Sequence, residues 1–228
     1  MNYQTLDPAR IIATLDRLRD RITRRFPESG LSQVSEQLAQ TARRTHTRAV
    51  EISANNWPLR FAVTAIIVGG AAAIVWAVRL LHIENVETNV GLLQTLEAAV
   101  NLVILFGGAT WFLVGLDDRL KRQRALEQLH TLRSMAHVVD MHQLTKDPYA
   151  ITLEGEASLT PQELARYLDY CAEMLALIAK LAALYADRVR DPVVIDAVTE
   201  VENLTTGLSR KIWQKISLIA NVRGDAAT

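Results

Sequence analysis

Two long apolar runs divide the chain. Residues 61–81 are apolar except for Thr64 and Arg79, and residues 92–116 are apolar except for a few polar positions near their start. Each run is close to the ~20 residues needed to cross a bilayer core of ~30 Å. Outside them the apolar positions recur every three or four residues, the period of an amphipathic helix. Ile11, Leu15, Leu18, Ile22 and Phe26 make one such stripe, behind a helix start with Asp7 as N-cap and Pro8 as the first helical residue. Residues 31–53 carry a thinner stripe (Leu31, Val34, Leu38, Val50, Ile52), which predicts a helix that is either solvated or completed by a partner.

Past the second run, residues 117–144 contain neither Pro nor Gly, so the helix is expected to continue unbroken into water. Thr160, Pro161 and Glu163 spell a capping box with proline at the first helical position. The rhythm Leu164, Leu168, Cys171, Leu175, Ile178, Ala182, Tyr185 and Val189 follows, and Asp191-Pro192 restarts the chain into Val194, Val198, Val201, Leu208, Ile212, Ile216 and Ile219. The turn between these two helices is short, so they should lie antiparallel. The pattern predicts an all-α protein: a two-span transmembrane helical hairpin with N-terminal amphipathic helices and a C-terminal three-helix cytosolic bundle. The expected parts are N-terminal cytosolic helices over 1–56, the hairpin over 57–116 (spans about 59–81 and 92–116, external loop 82–91), and the cytosolic bundle over 117–228.

Charge sets the orientation. The loop 82–91 holds Glu84 and Glu87 and no Lys or Arg, whereas Arg43, Arg44, Arg48 and Arg60 flank one run and Arg119, Lys121, Arg122 and Arg124 the other. Cytoplasmic flanks collect Lys and Arg, so both termini should be cytoplasmic and the protein a multi-pass resident of the cell inner membrane. The first apolar run begins far too late to be a secretory signal. Lys plus Arg equals Asp plus Glu, 25 of each, which argues against a nucleic-acid partner. A single cysteine, Cys171, excludes an intramolecular disulfide and suits a reducing compartment.

Three sets of residues invite chemistry. Glu97 and Asn101 are four apart in the second run, with Arg79 near the corresponding end of the first. An ionisable residue in a span faces a helix partner or a wet path. One reading pairs Glu97 with Arg79 across the hairpin, or keeps Glu97 protonated, with Gln94 and Asn101 bonding neighbouring helices; the other places Glu97 and Asn101 around a path in an oligomer. Ala65, Gly69, Ala73 and Ala77 form a small-residue seam suited to close helix packing, within the hairpin or between subunits. His130, His137, Asp140 and His142 lack the tight spacing of a metal pair, and no phosphate-loop, dinucleotide or nucleophile-elbow motif occurs. The expected function is therefore non-enzymatic, with no cofactor and no metal. It is an integral inner-membrane protein whose cytosolic helical domain binds a second copy or another cytosolic protein. The alternative is a homo-oligomeric ion-conducting pore lined by the second span. A weaker alternative is a membrane-surface or lipid sensor built on the Arg-rich face of the first helix (Arg17, Arg19, Arg21, Arg24, Arg25).

The order of elements resembles that of SLATT-type two-span proteins, proposed pore-forming effectors of bacterial conflict systems, and is similar to that of calcium-uniporter pore subunits. The uniporter's acidic loop signature is replaced by Ile83-Glu84-Asn85-Val86-Glu87-Thr88. The resemblance lies in layout, and no site residue is carried over from it.

Overall fold

The computed structural model describes residues 6–53, 57–83, 89–144 and 159–225. Six α-helices run through them: α1 (Pro8–Arg25), α2 (Gly30–Ser53), α3 (Trp57–Ile83), α4 (Asn89–Leu144), α5 (Pro161–Arg188) and α6 (Pro192–Asp225). The described residues form no strand, so the protein is all-α as its periodicity predicts. Glu84 and Glu87 of the expected external loop lie outside the described residues, as do Ile151 and Leu153, whose surroundings in the sequence predict a loop or a short strand. The chain forms two compact units, Met1–Ser53 with Arg122–Thr228, and Ala54–Lys121.

The first unit is a helical bundle around one apolar core. Asp7 caps α1 by accepting the Ala9 N–H at 2.9 Å, Pro8 opens the helix, and Phe26 ends it, its N–H donating to the Ile22 carbonyl at 2.7 Å. Glu28 turns the chain with a φ of 61°. α2 then runs back along α1. Arg43 meets Asp16 at 2.8 Å, Arg19 meets Glu36 at 3.6 Å, and Thr23 shares a hydrogen bond with Ser32 at 3.0 Å, so rising numbers on one helix match falling numbers on the other. α1 also lies antiparallel to α5. Arg21 forms a two-pronged ion pair with Glu173 and stacks over Tyr170 at 5.6 Å, while Phe26 sets its edge against Tyr167 at 5.5 Å. Ile11, Leu15, Leu18 and Ile22 are buried by this packing, so the α1 stripe is used inside the protein. That removes the apolar face a surface-bound lipid sensor would need.

α5 is the centre of the bundle. Its capping box is complete: Thr160 Oγ1 accepts the Glu163 N–H at 3.2 Å, and Glu163 accepts the Thr160 N–H at 3.0 Å. Buried residues occur all round it, from Leu164 and Leu168 to Leu184 and Tyr185, as expected of a helix with neighbours on every side. Asp191 accepts the Val193 N–H at 2.9 Å and starts α6, which packs extensively on α5. The C-terminal part of α4 runs parallel to α6. Arg122 meets Asp191 at 3.4 Å, Arg133 meets Glu200 at 2.9 Å, and Lys215 donates to the Gln143 carbonyl at 3.1 Å. Ala125, Leu129, Leu132, Ala136 and Val139 carry α4 into the same core. The bundle thus combines α1 and α2 with the three C-terminal helices that the sequence groups together. A stripe shows that a helix has a partner without showing which one.

The second unit contains α3 and the first part of α4. Among the described residues, one helical stretch, Val100–Leu144, is long and apolar enough to cross a membrane, with a mean hydropathy of 1.7 in its most apolar window and none of that window buried. Phe61–Ala73 is a shorter apolar helical run.

Candidate functional site

The residues singled out by chemistry lie on the α3–α4 pair. The two helices meet where Gly70 faces Phe106. A Cβ on Gly70 would lie 2.9, 3.0 and 3.2 Å from three carbons of the Phe106 ring, so glycine lets the α3 backbone rest on that ring. Gly70 is buried, and Val63, Ile66, Leu102, Ala109 and Leu113 are half-buried around the contact. α4 begins only six residues after α3 ends, too short a connection to carry the chain back along α3, so helices that touch at Gly70 and Phe106 run antiparallel, and each step from Gly70 towards Ile83 is matched in level by a step from Phe106 towards Asn89.

Rotation about each axis then places everything else. Arg79 is nine residues beyond Gly70, and Glu97 is nine before Phe106. Nine residues are two and a half turns at ~3.6 residues per turn, with a rise of ~13 Å. Arg79 and Glu97 therefore share one level but occupy opposite edges of the two-helix ribbon. Both are exposed, and among the described residues no ion pair joins them. Asn101 is exposed on the Glu97 edge. Of the small-residue seam, Ala65 and Gly69 are exposed, Ala73 is half-buried, and the Ala77 side chain lies outside the described residues. A Cβ at Gly69, Gly107, Gly108 or Gly115 would meet nothing within 4 Å. Sequence reasoning missed Gly70. Its signal was a small residue one position away from the regular seam, distinguishable only by knowing which face the ring of Phe106 meets.

The remaining hairpin surface is apolar and open: Trp111 is 85 % exposed, Trp76 68 %, and Phe61 and Ile104 66 % each. In the bundle, a groove of about 700 Å³ lies between the start of α5 and the end of α6. Arg25, Arg166, Tyr170, Trp213 and Ile216 line it, and Arg166 is held by Asp169 at 3.2 Å. Cys171 is fully buried, and that burial pushes its thiol up to about 12, so it is held protonated. Burial likewise raises the Tyr167 phenol. Hydrogen bonds from the Thr160 hydroxyl and N–H hold the Glu163 carboxyl below the usual carboxylate range. His130 and His137 are both exposed on α4. Comparison of the chain with protein-family models, with curated proteins and with solved structures returns no match.

Proposed function

We propose that the chain is a non-enzymatic integral protein of the cytoplasmic (inner) membrane. In this reading α3 and the first part of α4 form a two-span hairpin, and both termini are cytoplasmic. The bundle of α1, α2, α5, α6 and the end of α4 is a protein-binding domain, taking a second copy or another cytosolic protein. The observation that carries the reading is the open apolar surface of the hairpin. Phe61, Ile67, Val68, Trp76, Ile104 and Trp111 all exceed half exposure, and soluble monomers rarely expose contiguous apolar patches beyond a few hundred Å². Lipid is the solvent that removes that cost. The Lys and Arg flanks and the acidic loop support the orientation. An alkaline wash of membranes tests the reading: the protein should stay in the pellet and come out only with detergent. Release by the wash alone would refute it.

A second reading, an oligomeric ion-conducting pore, is favoured by one observation. Glu97 and Asn101 share an exposed edge of α4 that α3 does not cover, and polar groups at that depth seek protein or water. It predicts ion flux in vesicles reconstituted with the chain, altered by Glu97→Gln.

A further inference from the structure

We propose that the hairpins of several copies join edge to edge, with Arg79 of one copy paired to Glu97 of the next, and that these contacts close into a ring. The inference rests on the membrane reading above and adds to it the partner and the geometry. Arg79 and Glu97 lie at one level of the ribbon, both exposed and on opposite edges. Neither can reach the other around two helix diameters of ~10 Å each. A charge within a span is costly when unpaired, and each copy carries one of each sign. A second copy placed beside the first brings the α3 edge of one against the α4 edge of the other. The shared level then sets Arg79 opposite Glu97 with no shift along the membrane normal.

The edges also fit in shape. Ala65 and Ala72 lie on the Arg79 side of α3, and Gly108 with Asn101 on the Glu97 side of α4. Small residues on both surfaces let the backbones approach, and a Cβ at Gly108 would meet nothing within 4 Å in the single copy. The contact is heterologous, because the two halves of the pair sit on different edges. A two-fold contact of like edges would set Arg79 against Arg79. Two ribbons stacked face to face would leave both groups directed outward. Heterologous contacts generate a ring when the rotation between neighbouring copies closes and an open row when it does not, and a ring of this kind needs three or more copies.

The test uses the full chain in native membranes. Ala72→Cys and Ile104→Cys in one chain occupy equal levels on the two outer edges, each two residues from the Gly70–Phe106 contact, and buried Cys171 stays silent. Mild oxidation should give a ladder of trimers and larger species through bonds between residues 72 and 104 of different copies. Arg79→Glu should abolish the ladder, and Arg79→Glu with Glu97→Arg in the same chain should restore it. A ladder that stops at the dimer, bonds between two copies of residue 72, or a ladder unchanged by Arg79→Glu each overturn the ring. An alkaline wash of the unsubstituted chain separates the two claims. Release from the membrane overturns the membrane reading and the ring together; retention without the ladder overturns the ring alone.

Discussion

Gly69 and Gly70 are adjacent in sequence and should respond in opposite ways to the same methyl group. At Gly70 the new Cβ meets three ring carbons of Phe106 at 2.9–3.2 Å, where carbon contacts prefer ~3.5–4.0 Å. One of the three is Cγ, the root of the ring, so the side chain cannot swing away and the helices must part by roughly half an ångström. Overpacking of this kind costs about 1–3 kcal/mol. At Gly69 a Cβ meets nothing within 4 Å, and alanine there should gain about 1 kcal/mol in helix propensity without touching the contact between the helices. The assay is an intramolecular disulfide between Val63→Cys and Leu113→Cys, half-buried positions at equal level on the two helices. Its equilibrium yield against a thiol buffer reports hairpin closure. Gly70→Ala should lower the closure constant by about 5- to 150-fold, the range that 1–3 kcal/mol gives at 1.4 kcal/mol per tenfold. Gly69→Ala should leave it unchanged. Equal effects of the two substitutions would refute the contact.

Leu18→Ala in α1 removes a side chain that is 1 % exposed and should cost about 2–5 kcal/mol of bundle stability in denaturant titrations; a cost below ~0.5 kcal/mol would mean α1 does not dock. Thr160→Ala should remove the hydroxyl hydrogen bond, the larger of the two that lower the Glu163 pKa, and leave the backbone N–H bond in place. With the native cap, a depressed folded pKa contributes stability that is present above the ordinary carboxylate value of ~4.3 and lost as pH falls through the folded value. The variant should therefore lose less stability on acidification over that window, read as thermal midpoint against pH. Cys171, pushed up to about 12 and fully buried, should react with thiol reagents at pH 8 only as fast as the protein opens; labelling at the rate of a free thiol would contradict its burial.

Local signals in the sequence translated directly into structure. Asp7 before Pro8, Thr160 with Glu163, and Asp191 before Pro192 each start the helix they predict. The absence of Pro and Gly over 117–144 gives one helix through α4, because these properties are decided within a few residues. Rotations and partners were not legible. The α1 stripe predicts a buried face, but Tyr167 and Tyr170, against which its Phe26 packs, and Glu173, which pairs with the neighbouring Arg21, all lie far along the chain on α5. The four-residue repeat from Ala65 to Ala77 predicts a helix contact within the hairpin or between subunits; within one copy it is Gly70 that meets α4, while Gly69 stays open. A small residue permits close approach anywhere; only the position of Phe106 decides which one is used. The same rotation separates Arg79 from Glu97, a pair that nearness of level alone would join within one copy.

The account turns on the α3–α4 hairpin lying in a bilayer with both chain ends in the cytoplasm. Labelling with a membrane-impermeant maleimide in intact cells tests this most directly, since native Cys171 is buried and gives no background. Thiols placed by Glu87→Cys in the connecting loop and by Gln4→Cys near the N-terminus make the comparison. The account predicts labelling at 87 in cells whose outer surface is accessible, and at 4 only after lysis. Labelling of both in intact cells, or of neither until lysis, would contradict it.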